Sequence, residues 1–186
     1  VPTLNEAGRI VSLLENLQTH RAGGIEIIVC DGGSEDLTRD RAQPMADHVL
    51  STKPGRSIQM NAGASVADGE WIAFVHADSG FDQAHLAALE SAIQHRRDAV
   101  WGRFDVSIAG ASVAFPVIAL MMNWRSRITS VATGDQCMFV RRDVFDAVGG
   151  FQALALMEDV ALSKTLRQRS APLCISSPRV VTSGRR

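Results

Sequence analysis

Apolar and polar positions along the chain fall into blocks whose period switches between that of a strand and that of a helix. Val1-Pro2-Thr3 reads as the last part of a strand. Ile10, Leu13, Leu14 and Leu17 recur at i, i+3, i+4 and i+7. That spacing predicts an amphipathic helix closing before Gly23-Gly24, with Asn5 as its cap and Glu6 in its first turn. Ile25–Cys30 is a short β-branched run, the pattern of a buried parallel strand. It stops at Asp31-Gly32-Gly33-Ser34, where Ser34 is placed to cap the next helix. Asp47–Ser51 reads as a weaker strand, and Gly55 introduces a helix over Ser57–Val66 rich in small residues. A strand over Trp71–Val75 ends in His76-Ala77-Asp78. A helix with a Leu86, Leu89, Ile93 stripe and a strand over Ala99–Ile108 follow, the latter with Val100, Phe104, Val106 and Ile108 on one side.

This β-α-β-α-β-α-β-α-β order predicts an α/β fold with a parallel or mostly parallel central sheet flanked by helices. The later part differs. Ser112–Val131 is mainly helical, Cys137–Val140 reads as a strand, and a short helix runs from Arg142 to Gly149-Gly150. Met157–Arg169 reads as a helix, and Leu173–Ser176 and Val180–Val181 as β-like segments. No repeat, low-complexity tract or linker interrupts the chain, so residues 1–186 are expected to form one domain, with both ends reading as cut. The apolar stretch Val113–Met122 contains Pro116 and is shorter than the roughly 18 residues a membrane span needs. Val113–Trp124 has three readings: core, dimer interface or membrane-surface helix. Core is favoured because apolar helices usually pack inside.

Composition narrows the function classes. In 186 residues, 46% are hydrophobic, 21% are charged and the formal net charge is -1, ordinary for a globular protein and unlike a general nucleic-acid binder. Arginines bunch at Arg96-Arg97, Arg125/Arg127, Arg141-Arg142 and Arg179 with Arg185-Arg186, as a solvated face or as partners for an anionic substrate. Three cysteines, Cys30, Cys137 and Cys174, lack metal-like spacing and read as buried free thiols. With no secretory signal visible, a reducing, cytoplasmic setting is expected.

The chemistry lies where elements end. Asp78, at the tip of an apolar strand, is a hard oxygen donor suited to Mg²⁺ or Mn²⁺ carrying a diphosphate; its competing role is to cap the helix beginning near Asp82. The other special points are Pro2-Thr3-Leu4-Asn5-Glu6, Asp31-Gly32-Gly33-Ser34, Gly55-Arg56, Gly134-Asp135-Gln136 and Met157-Glu158-Asp159. Singly, each can be a turn, a helix entrance or an acidic first turn. A parallel sheet would gather those that follow strands at one edge, where a carboxylate, backbone N–H groups and an arginine can hold a nucleotide.

In order, "VPTLNEA", "DGGSEDLT", "GRSIQMNAGA", "FVHADS", "GDQCMFVRRDVFDAVGGF" and "MEDVALSKTLR" resemble the family 2 glycosyltransferases of the GT-A fold, over nearly the whole chain. Within that family the chain looks closest to the small bacterial group associated with radical-SAM/selenodomain gene sets, mainly through "HAD" and "GDQ…FVRR". The resemblance implies Thr3 and Glu6 lining a nucleotide pocket, Asp31 bonding the base, and Arg56 over the base or phosphates. It also implies Asp78 as the metal ligand of an Asp-x-Asp motif. His76 stands where the family's first aspartate often contacts the ribose, leaving one carboxylate rather than two. Glu158-Asp159 matches the family's acidic pair, with Asp159 as general base of an inverting transfer and Glu158 orienting the acceptor. Gly134 and Asp135 match the acceptor loop, although Asp135 also suits a plain turn. The implied partners are a nucleoside-diphosphate sugar and a hydroxyl acceptor. A sugar-nucleotide pyrophosphorylase and a non-catalytic nucleotide-binding module are the rival readings.

Overall fold

Strands β1 (Pro2–Thr3), β2 (Ile28–Asp31) and β3 (His48–Ser51) pair in parallel, with β2 in the middle. The computed structural model describes residues 1–21, 23–154 and 156–184; Arg185-Arg186 of the basic cluster lie outside them. Each crossover carries a helix: α1 (Ile10–Arg21) between β1 and β2, α2 (Thr38–Ala42) between β2 and β3. Helix α3 (Arg56–Val66) then leads to β4 (Trp71–Ala73), and α4 (Gln83–His95) to β5 (Trp101–Ala109).

The second sheet has the order β4-β6-β5-β7, with β6 at Phe139–Arg141 and β7 at Leu173–Ser183. This second sheet is mixed, which the expectation of a mostly parallel sheet leaves room for. Strand β6 runs antiparallel between β4 and β5, while β5 and β7 are parallel. Direction is not encoded in a three-residue apolar run, so this insertion had no local signature. The two β-like pieces at the end form one strand, paired along β5 with an irregularity between Phe104 and Val106.

Two apolar clusters hold the layers together. Ile10, Leu14, Val29, Leu86, Phe104 and Phe139 belong to one, and Phe74, Trp101, Val140, Phe151 and Leu166 to the other. Strand β5 is buried from Trp101 through Val106, so it carries no polar face. Its two charged residues, Arg103 and Asp105, are buried and paired, and Arg127 reaches Asp105 from α5 (Phe115–Thr129) at 2.7 Å. Burying charge is tolerable only with such partners.

Three local expectations fail for stated reasons. Asn5 does not cap α1: it has φ of 55°, and the helix begins only at Ile10, after a turn at Glu6. Ser34 does not cap α2, which begins at Thr38; its N–H and hydroxyl go back to the Asp31 carboxylate. The apolar residues of Val113–Trp124 are not core, since most point outward. Among the described residues no helix is long and apolar enough to cross a membrane. Cys30 and Cys137 are buried and Cys174 half-buried, all three free.

Candidate active site

The loop after β1 is held by the loop after β2. Asn5 N–H donates to Ser34 Oγ at 2.8 Å, and Asn5 Oδ1 accepts from Glu35 N–H at 2.9 Å. Glu6 N–H donates to Thr38 Oγ1 at 2.8 Å and Ala7 N–H to Asp36 Oδ2 at 3.1 Å. The Thr38 hydroxyl, above all, holds the Asp36 carboxyl below its ordinary range. Short polar side chains that bond backbone two or three residues away favour loops of this kind. Asp31 anchors the clasp. Fully buried, it accepts from Gly33 N–H (3.1 Å), Ser34 N–H (2.8 Å), the Ser34 hydroxyl and Thr3 Oγ1 (3.3 Å).

Above this frame lies a cavity of about 300 Å³ lined by Thr3, Leu4, Glu6, Gly55, Arg56, Gln59, His76 and Asp78, among others. Five residues from three separate sequence motifs (Thr3 and Glu6, Arg56, His76 and Asp78) thus line one cavity. Asp31 is not among them; it stands behind Thr3. The N-terminus of α3 opens onto the same space, with Gly55 at φ of 141°, a conformation that favours glycine. Helix N-termini suit anions. Gln59, which sequence reasoning did not single out, is buried and donates to Thr3 O (2.7 Å) and Cys30 O (2.8 Å), tying β1 to β2 beneath the cavity. Its i, i+3 spacing from Arg56 was the available signal.

Asp78 stands between two spaces. It lines this cavity and also a groove of about 660 Å³ that runs past Ser79, Gly80 and Thr182 to Phe115. The loop carrying it is pinned where Gly80 N–H donates to Val181 O at 2.8 Å. Its capping role is taken elsewhere: Asp82 caps α4, accepting from Ala84 and His85 N–H. Burial alone would raise the Asp82 carboxyl, but the His85 side chain and these N–H groups hold it below its usual value.

Helix α7 (Glu158–Leu166) delivers the acidic pair. Glu158 is buried, while Asp159 is half-buried and accepts from Gly134 N–H. A Cβ added at Gly134 would lie 2.6 Å from His76 Nε2 and 3.6 Å from Asp159 Oδ2. A side chain here would have to displace the His76 ring, so His76 and Asp159 flank one backbone segment, the 3₁₀ turn Gly134–Gln136. Asp135 lies in that turn and accepts from Thr182 Oγ1 at 3.5 Å, on the groove side. Asp135 is thus a turn residue whose carboxylate meets Thr182, a residue of the groove wall.

A parallel α/β edge whose cavity carries the Glu6 and Asp78 carboxylates, with Asp159 across Gly134 from His76, is the kind of crevice in which α/β folds hold ligands. The chain matches the description "Glycosyl transferase family 2" over residues 1–149 and belongs to that family. Curated relatives from Mycobacterium bovis and Mycobacterium tuberculosis, named PGL/p-HBAD biosynthesis glycosyltransferase, are 28% identical over 165 residues. That match takes in 81% of this chain and 61% of theirs, so the chain spans less than two thirds of those relatives. Among solved structures, a Pyrobaculum calidifontis mannosyltransferase in complex with GDP-Man and Mn²⁺ superposes with a TM-score of 0.69 at 21% identity, over 98% of this chain and 54% of that one. S. aureus TarS in complex with UDP-GlcNAc reaches 0.76 at 18%, over 100% and 57%. Glucosyl-3-phosphoglycerate synthase from Mycobacterium tuberculosis, with Mn²⁺ and UDP, gives 0.69 at 18%, over 100% and 71%. These likenesses fix the fold as GT-A.

Proposed function

We propose that the chain transfers a sugar from a nucleoside-diphosphate donor to a hydroxyl acceptor, with inversion at the anomeric carbon and with a divalent cation. The observation that carries this reading is the single cavity shared by Thr3, Glu6, Arg56, His76 and Asp78, with Asp159 one glycine away from His76. Donors of this class occupy the structural neighbours whose complexes contain GDP-Man and UDP-GlcNAc. The "HAD" and "GDQ…FVRR" motifs are what supports reading the chain as near the radical-SAM/selenodomain-associated group.

Among the described residues no three His, Cys, Asp or Glu side chains form a metal cage. The donor set fits Mg²⁺ or Mn²⁺ only as a shared ligand: Asp78 supplies one hard oxygen, and a diphosphate and waters would supply the rest. Held by Asp78, such a cation would supply charge neutralisation for the departing diphosphate. The protein's own side chains do the remainder. Arg56 and the α3 N-terminus meet the phosphates, Thr3 and Gln59 border the base end, and His76 is placed to donate to the ribose. Asp31 supports the base end from behind, through its hold on Thr3 and the Gly33-Ser34 turn. Asp159, oriented by Gly134 N–H, takes the acceptor hydroxyl proton as that oxygen bonds the anomeric carbon. The bond to the diphosphate oxygen breaks with its electron pair leaving on the nucleoside diphosphate. Glu158 and Asp135 border the acceptor side. We place the reaction in the cytoplasm, a reading that the three free cysteines support.

The test is thermal stability with UDP and GDP, with and without Mn²⁺. At a hundredfold excess over Kd a ligand of the native state adds about 2.7 kcal/mol. Stabilisation should depend on the cation in the wild type and lose that dependence in Asp78→Ala. The same metal dependence in Asp78→Ala removes Asp78 from the role. Release of pyrophosphate instead of nucleoside diphosphate from a sugar nucleotide would install the pyrophosphorylase reading.

A further inference from the structure

Helix α5 is built inside out. Its inward residues Ala119, Asn123 and Ser126 are small or polar and buried. Val117, Leu120, Met121, Trp124 and Ile128 point outward, with 57%, 66%, 64%, 66% and 63% of their surfaces exposed. At i, i+3, i+4, i+7 and i+11 they share an arc of about 100° on a helix of 3.6 residues per turn. Val113, just before the helix, extends the apolar run and is 93% exposed. A contiguous apolar stripe of this kind marks a surface that meets another apolar phase.

We propose that this face lays the protein on an anionic bilayer surface. The charges around the stripe select that partner. On the same helical projection Arg125 and Arg127 fall on its two edges, where long basic side chains reach headgroups while their stems stay with the apolar residues. Arg127 also meets Asp105, but Arg103 shares that carboxylate, so the trio keeps a positive charge. Arg167 joins the same end, donating to Thr129 O at 3.1 Å. From Val106 to Gly134 the chain has no Asp or Glu. A two-fold pairing of copies would set these arginines against a surface without carboxylates, or against the positive N-terminus of the partner α5. Anionic headgroups supply the counter-charge, and the Trp124 ring suits the interface. The groove from Asp78 ends at Phe115, the first residue of α5, so docking brings its mouth beside the headgroups. That last consequence rests on the transferase reading; docking itself does not.

The purified protein should float with phosphatidylcholine vesicles containing about a third phosphatidylglycerol, and not with phosphatidylcholine alone. Leu120→Glu, at an exposed position that leaves the melting temperature unchanged, should reduce that partition by about tenfold or more. Brominated lipid should quench the protein's fluorescence, and Trp124→Phe should remove the quenching while Trp71 and Trp101 remain. No flotation on anionic vesicles, or equal flotation of Leu120→Glu, overturns the proposal. So does a lipid-free dimer that Leu120→Glu dissociates, which would assign the face to a second copy. Nucleoside diphosphate release, measured on the same samples without lipid, reports separately on the transferase reading.

Discussion

Asp159 heads α7 with its carboxylate against Gly134 N–H, and Gly134 in turn packs against His76. A dipole-complementing acid at a helix start contributes only about 0.3–1 kcal/mol to stability. One beside a donor cavity can also move a proton. Asp159→Asn keeps the shape and removes the acceptor of that proton, so donor affinity should persist while turnover falls by roughly 10²–10⁴-fold. Near wild-type turnover in the folded variant would pass the role to Glu158 or Asp135. At this scale the sequence marked Asp78 and Asp159 as candidates, because one follows an apolar strand and the other opens a helix. It was silent on Gln59 and ambiguous on Asp31. A carboxylate two residues before a Gly-Ser turn reads the same whether it faces a ligand or folds back on its own loop; here four donors from Thr3, Gly33 and Ser34 turn it inward.

Among the elements, α5 shows how a helix can reverse its faces. Asn123 Oδ1 accepts from Val106 N–H at 2.9 Å and its Nδ2 donates to Val106 O at 3.0 Å, replacing a neighbouring strand beside the irregular part of β5. Those main-chain groups are buried, and leaving them unpaired costs about 1–3 kcal/mol each. Asn123→Ala should therefore lower the melting temperature by several degrees, whereas Met121→Ala on the outer face should change stability by no more than about 0.5 kcal/mol. Equal effects of the two substitutions would show that the inner face is not what binds α5 to the sheet. The apolar period predicted the helix correctly and its orientation wrongly. Periodicity locates a stripe, and the bonding needs of β5 chose the opposite one.

Across the whole molecule, Asp47 ties α1 and β2 together: it accepts from Ile27 N–H at 2.8 Å and pairs with Arg21. The Ile27 bond, working against burial and aided by Arg21 and His48, holds its carboxyl below the ordinary range. A carboxyl depressed on folding adds stability above its unfolded value of about 3.9, and that increment disappears as pH falls through the folded value. Asp47→Asn should thus melt lower than wild type at pH 7, with the gap narrowing on acidification below about pH 4. A gap independent of pH would rule this linkage out. The sequence by itself determined the element order, the α/β class and the motifs that meet at one sheet edge, because strand and helix periods and end-of-element residues are local properties. Only the tertiary structure decided that β6 runs antiparallel between β4 and β5, that Asp31 turns inward, and that α5 keeps its apolar face outside. Each of these depends on which distant backbone groups and charges need partners, and that is a property of the assembled sheets rather than of any stretch of chain.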